Sequence, residues 1–233
     1  MNILITGASK GIAKEVALQM ARNSHHLALC ARTIEELEIL KNEIIKEFPS
    51  TKVFIKSVDC SVKEEVLAFA DEALEKLGKI DVLVNCVGLF KPSFILVEAD
   101  DSLDQHMKIN VYAAYYLYKK LAPFMKERRN GYIFNICSVA SLESIANAGS
   151  YCVTKAALLS LNNIMRAELL EHDVKVTAIL PGSTLTDSWK GTEVSPDEFI
   201  KPEDVASAIL QIMSMSKGAN VEQIVIKPIH GQI

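Results

Sequence analysis

The 233-residue chain contains no stretch approaching the roughly 18–20 consecutive apolar residues that a membrane-spanning helix requires. Residues 1–6 run straight into an apolar strand, without the basic segment, hydrophobic region and small-residue cleavage site of a secretory leader. The expected location is therefore the cytoplasm, with no membrane partner. Cysteine is sparse and badly spaced for structural use. Cys30, Cys60, Cys86, Cys137 and Cys152 are odd in number and none form a CxxC pair. A disulfide framework and a zinc site are both disfavoured, no metal centre is expected, and the five read as reduced, mostly buried thiols. Charge of one sign is scarce too. The net charge is −4 with no long block of like charges, so neither nucleic acid nor an anionic surface is indicated as a partner. Internal repeats, low-complexity segments and Pro/Gly/Ser-rich linkers are absent.

What is present is the composition of an ordinary globular protein, 49% hydrophobic and 23% charged. Apolar runs at residues 2–6, 27–31, 52–57, 80–84, 132–136, 174–180 and 221–226 alternate with helical periodicity at 11–23, 33–48, 62–77, 102–126, 150–171 and 202–215. Pro49, Gly78 and the Asn130-Gly131 turn punctuate the pattern. Several strands are apolar on both faces, which suits a parallel sheet covered by helices. The expected fold is α/β: a single doubly wound Rossmann-type domain over residues 1–233, with about seven parallel strands and helices on both faces. The longest irregular stretch, 182–201, has the length of a functional lid.

Gly7-Ala-Ser9-Lys10-Gly11-Ile12-Ala13 lies where the first strand turns into the first helix. Small residues there let a pyrophosphate approach the backbone, and the free amides of a helix N-terminus face the anion. A plain strand–helix turn is the bland alternative, and the spacing GxxxGxA departs from GxGxxG. The second strand ends Cys30-Ala31-Arg32 and carries no acid to accept hydrogen bonds from an adenosine ribose. Arg32 is instead placed to hold a 2′-phosphate through its planar donor fork, with Lys10 as a second cation. Each could equally be a solvated surface charge. The expected cofactor is NADP(H).

Tyr151 and Lys155 stand four apart on one helix and share a face. A nearby ammonium favours the phenolate form of a phenol, which makes the hydroxyl a usable proton donor to a carbonyl oxygen. The same spacing at Tyr115/Lys119 and Tyr116/Lys120 reads as helix surface or subunit contact, since no strand end precedes it. The strand at 132–136 ends in Cys137-Ser138, thirteen residues before Tyr151. Ligand crevices of open α/β sheets lie beyond the C-terminal ends of the strands, so Ser138 is delivered to the site.

These residues, in this order, resemble the short-chain dehydrogenase/reductase family over essentially the whole chain. The resemblance rests on residues 6–13, Asp59, Asn85-Cys86-Val87-Gly88, Asn110, Ser138 with Tyr151 and Lys155, and Pro181-Gly182. It implies that Tyr151 is the general acid/base and that Lys155 supports it and binds the nicotinamide ribose. Ser138 would position the carbonyl oxygen, and Asn110 would hold a water of a proton relay. Gly7, Ser9, Lys10, Gly11 and Ile12 would carry the pyrophosphate end, Asp59 and Cys60 the adenine, and Asn85 and Gly88 the floor beneath the cofactor. Pro181, Gly182 and Thr186 would flank the nicotinamide. Two departures are the central Cys86-Val87 and Ala13 in place of a third glycine.

Within the family, the resemblance implies an NADP-dependent reductase of a ketone or 3-oxoacyl substrate. A sugar or polyol dehydrogenase is the alternative substrate class. Arg128 and Arg129 are the candidate docking patch for an acyl carrier protein, against the simpler reading of cations at a helix C-terminus. A catalytically idle NADP-binding redox sensor or complex subunit is a rival, but Asn110, Ser138, Tyr151 and Lys155 are all retained. A methyltransferase would not need the serine, tyrosine and lysine. A homodimer or homotetramer through the two long helices is expected, with the aromatic run 111–118 as surface.

Overall fold

The computed structural model describes residues 1–231. The last two residues of the atypical tail, Gln232 and Ile233, lie outside the described residues. Seven strands form one sheet in the order β3-β2-β1-β4-β5-β6-β7, every neighbouring pair parallel. They are β1 (Asn2–Thr6), β2 (His26–Ala31), β3 (Val53–Ser57), β4 (Val82–Asn85), β5 (Gly131–Ile136), β6 (Val174–Pro181) and β7 (Gln223–Ile226). The order reverses between β1 and β4, and that switch opens a crevice above the strand ends.

Strand alternation distributes the apolar side chains to two cores. Ile3 and Ile5 of β1, Leu27 and Leu29 of β2 and Val82 and Val84 of β4 face one layer, which holds α1 (Gly11–Arg22), α2 (Ile34–Glu47) and α7 (Pro202–Ser214). Leu4, Ala28 and Leu83, one register position over, face the other. There they meet α3 (Lys63–Leu77), α5 (Ala113–Arg128) and α6 (Gly149–Leu169) through residues such as Phe69, Leu117 and Met165. Both faces of the sheet are thus covered, as parallel strands require.

The stretch read as one helix over 102–126 is interrupted. It consists of α4 (Ser102–Met107), a π turn (Lys108–Tyr112) and α5. The apolar periodicity carries on through the π turn, so the sequence pattern shows no break there. The other helices lie within two residues of their expected ends, except that residues 170–172 close α6 as a 3₁₀ turn. Residues 182–201 are irregular apart from two short 3₁₀ turns at Asp187–Trp189 and Pro196–Glu198. Pairing of Thr184 with Ile200, and an edge-on contact of Trp189 with Phe199 at 4.9 Å, fold this segment back on itself.

Inside the sheet runs a file of three buried amides. Asn85 Nδ2 on β4 donates to Asn135 Oδ1 on β5 at 2.8 Å, and Asn135 Nδ2 donates to Asn162 Oδ1 on α6 at 2.9 Å. All three residues are buried. All five cysteines are free thiols. Among the described residues, no helix is long and apolar enough to cross a membrane.

Candidate active site

The first strand delivers Thr6 and the glycine turn to the crevice. Thr6 Oγ1 accepts the backbone N–H groups of Cys86 and Val87, both at 3.1 Å, which pins the segment after β4 against the turn after β1. Gly7 has φ +72°, and a Cβ there would stand 3.0 Å from Val87 Cα. This position requires glycine for its conformation and for the close approach. Lys10, the residue before α1, caps no amide with its side chain, and the first turn of α1 holds no acid. The uncapped N–H groups of that turn are therefore donors for an anion. Thr186 stands at the same turn, since a Cβ at Gly11 would meet its Cγ2 at 3.1 Å. Pro181 ends β6, and the Gly182 N–H donates to Ile226 O at 2.8 Å, so β7 holds the segment that leads to Thr186.

Around the end of β2, Arg32 is exposed and lines a cleft of about 350 Å³ with Asp59, Ser61 and Lys108. Its guanidinium is in no ion pair among the described residues. The Asp59 carboxylate accepts the Ser61 hydroxyl at 2.7 Å and the Ser61 N–H at 2.8 Å. These bonds, with a smaller contribution from the Arg32 charge, hold its carboxyl below the usual range. Cys60 is buried beside Cys30, whose ionisation is opposed most strongly by burial and next by a hydrogen bond with the Cys60 thiol. Lys10 is committed elsewhere: its Nζ lies 2.6 Å from Glu36 Oε1.

At the other end of the crevice, α6 carries Tyr151 and Lys155 on adjacent turns, with the ammonium 5.6 Å from the phenol ring centroid. Lys155 is buried and donates to Ile136 O at 2.8 Å, at the end of β5. An ammonium has three protons, so donors remain for a ligand. Gly88 faces this group: a Cβ on it would lie 3.7 Å from Lys155 Nζ and 3.8 Å from Asn110 Oδ1. The charge of Lys155 is felt by two neighbouring thiols. Burial pushes Cys86 and Cys137 each up to about 12, against the opposing pull of that ammonium.

Ser138 is buried and its Oγ accepts the Ala140 N–H at 3.1 Å. With a lone pair used there, the hydroxyl proton is left to donate. Asn110 sits in the π turn, and its side chain is fully engaged. Oδ1 accepts the Leu89 N–H at 2.6 Å, while Nδ2 donates to Leu89 O at 3.1 Å and to Thr154 Oγ1 at 3.0 Å. Asn110 thus clamps the segment after β4 onto α6. Asn85, expected in the floor of the crevice, turns its amide nitrogen into the sheet, and its Oδ1 is buried without a partner among the described residues.

Some side chains here have no counterpart in the expected set. The Phe90 ring meets the Tyr151 ring edge-on at 4.8 Å. Glu98 bridges Ser102 Oγ, at 3.1 Å, and Ser150 Oγ, which binds the two helices α4 and α6 to the loop between β4 and α4. That loop passes so close to α6 that a Cβ at Gly149 would collide with Ile95. Phe90 could have been found from its place two residues past Gly88. Glu98 gives no such signal, because the contact joins residues 52 apart.

The residues present fit a dinucleotide. The glycine turn leaves backbone bare where a pyrophosphate would lie, the start of α1 has no side-chain cap, and spare cationic donors stand at Arg32 and Lys155. Arg128 and Arg129 lie away from this crevice and are occupied. Arg128 donates to Ile80 O at 2.8 Å, and Arg129 pairs with Asp173 at 3.0 Å and donates to Glu171 O. The other tyrosine–lysine pairs are also engaged: Lys119 lies over the Tyr115 ring and Lys120 pairs with Asp71.

The family model described as short chain dehydrogenase matches residues 1–196. Sepiapterin reductase of Chlorobaculum tepidum is 29% identical, over 99% of this chain and 97% of its own. An alcohol dehydrogenase from the archaeon Thermococcus sibiricus, solved in complex with 5-hydroxy-NADP, aligns at a TM-score of 0.91 and 26% identity, covering 100% of this chain and 98% of that one. L-sorbose reductase from Gluconobacter frateurii, solved with NADPH and L-sorbose, aligns at 0.90 and 25% identity, covering 97% and 95%.

Proposed function

The chain belongs to the short-chain dehydrogenase family, and within it we propose an NADPH-dependent oxidoreductase that reduces a carbonyl group to an alcohol, with Tyr151 as general acid. The observation that carries this reading is the grouping at the C-terminal end of β5. Tyr151 and Lys155 lie together on α6, and Lys155 is held by Ile136 O facing the bare backbone of Gly88.

When bound, NADPH supplies the hydride that the carbonyl carbon accepts. Ser138 donates its free hydroxyl proton to the carbonyl oxygen and fixes its direction. Tyr151 gives its proton to the same oxygen as negative charge develops there, and the Lys155 ammonium stabilises the phenolate left behind. The edge of Phe90 limits where the Tyr151 ring can swing. Asn110 would contribute through its turn, since its side-chain amide is engaged: a backbone carbonyl of the π turn would be the acceptor for the water of a relay.

The NADP preference is supported by Arg32, exposed and unpaired at the end of β2, and by the NADP and NADPH complexes of the structural relatives. The substrate reading leans toward a free ketone or aldehyde and away from a carrier-bound thioester, because Arg128 donates to Ile80 O and Arg129 pairs with Asp173 within the chain, which suits cations at a helix end. A homo-oligomer is also proposed. Tyr112, Tyr115 and Phe124 on the α5 side and Val153 and Ile164 on α6 are exposed, a surface suited to a partner helix pair.

The test is oxidation of NADPH, with NADH in parallel, against diketones, aldehydes, sugar ketones and a 3-oxoacyl thioester. Tyr151→Phe is expected to lose at least about a hundredfold in kcat while retaining cofactor affinity. Full turnover in that variant would remove the mechanism. A thioester preferred over every free carbonyl would return the carrier reading.

A further inference from the structure

Two side chains of the glycine turn face a carboxylate that belongs to the protein itself. Glu36, in the first turn of α2, lies 2.6 Å from Lys10 Nζ. Lys10 holds the Glu36 carboxyl below its usual range, and a hydrogen bond from the Ser9 side chain adds to the effect. The Lys10 ammonium is raised in turn, first by that bond. Asp187, from the segment after β6, adds a second negative charge at this edge, and Arg32 a positive one. The pair is partly exposed, 55% for the Lys10 side chain and 30% for Glu36, so it can open without unfolding anything.

A 2′-phosphate on the adenosine ribose is recognised by the chemistry present here, a cation and a hydroxyl on the glycine turn together with an arginine fork at the end of the second strand. Glu36 presents an anionic oxygen to two of those three groups. We propose that Glu36 is a cofactor-specificity residue: its carboxylate is an internal stand-in for the 2′-phosphate on Ser9 and Lys10, and it weakens NADP(H) binding relative to NAD(H) by competing for Lys10 and repelling the incoming dianion. This rests on the NADP reading above. Arg32, in no ion pair among the described residues, sets the preference, while Glu36 limits how strong it becomes.

The measurement is calorimetric binding of NADP⁺, NAD⁺, 2′,5′-ADP and 5′-AMP to wild type, Glu36→Gln, Lys10→Met and the double variant. Glu36→Gln is expected to tighten NADP⁺ and 2′,5′-ADP by about three- to tenfold, the scale of one exposed charge pair. NAD⁺ and 5′-AMP should stay within about twofold, since they carry no phosphate at this edge. The gain should shrink as salt is raised, and in the double variant, compared with Lys10→Met alone, only the smaller part due to relieved repulsion should remain. Unchanged or weaker NADP⁺ binding in Glu36→Gln overturns the inference, because Glu36 would then be orienting Lys10 for the phosphate. Equal tightening of all four ligands overturns it as well. Failure of the underlying reading shows separately, in an Arg32→Ala variant that weakens NADP⁺ no more than NAD⁺. A selective gain for phosphate-bearing ligands in Glu36→Gln would still support the role of Glu36 in that case.

Discussion

Lys155 stands beside more than the Tyr151 ring. Its charge reaches the thiols of Cys86 and Cys137, yet burial dominates and both stay protonated at neutral pH. A thiol held at about 12 in the folded chain, against an ordinary 9.0, releases its proton first when the chain unfolds. Its stabilising contribution is complete below pH 9 and is lost as pH climbs from there toward 12. Thermal denaturation between pH 7 and 11 should therefore show a falling midpoint above pH 9, and Cys137→Ala should flatten that decline. An identical slope in the variant would assign the alkaline loss to other groups. At this scale the sequence is legible where two residues share one element. Tyr151 and Lys155 meet because a helix repeats every 3.6 residues. Lys10 and Glu36 meet because two helices start side by side, and no local spacing encodes that.

Between β4 and α6 the elements meet through the loop after Gly88, and that loop is held at both ends. Asn110 grips Leu89 by its N–H and its C=O, and Glu98 grips the two helix starts. Asn110 is buried, so Asn110→Ala leaves the Leu89 amide and carbonyl without partners. The expected cost is roughly 1–3 kcal/mol of stability, read from urea denaturation, together with faster proteolysis within residues 89–99. A variant as stable as wild type, with an equally protected loop, would show that Leu89 finds other partners. The π turn beneath Asn110 was hidden in the sequence. Val111, Ala114, Leu117 and Leu121 keep an apolar face across it, and a polar residue in mid-helix was its only trace. The irregular stretch 182–201 was legible because nothing periodic competes with it there.

For the molecule as a whole, the alternation of strand and helix and the two-faced burial of the strands follow from hydrophobic pattern, whereas the strand order that places the crevice is seen only in the structure. The amide file of Asn85, Asn135 and Asn162 does not follow from pattern. A polar residue inside an apolar strand reads as a weak spot until its partners on another strand and a helix are known. Asn135→Leu would strand the Asn85 amide and the Asn162 carbonyl in the interior. The expected loss is roughly 2–4 kcal/mol, seen as a lower urea midpoint with an unchanged slope. A neutral substitution would mean that the outer asparagines can pair without it.

The same file acts as an alignment gauge. Side chains on a strand alternate faces and advance by about 3.3 Å per residue. If β5 slipped by one position against β4, Asn135 would swing to the opposite face, and Ser138 would travel one residue along the strand axis relative to Gly88. Apolar contacts alone would resist such a slip weakly, since Val82, Leu83 and Val84 offer similar surfaces to Ile133 and Phe134. Hydrogen bonds between buried amides are intolerant of it. Three asparagines deep in the sheet thus keep two strand ends level, and the spacing between the hydroxyl of Ser138 and the bare backbone of Gly88 is set by residues that need never touch a ligand.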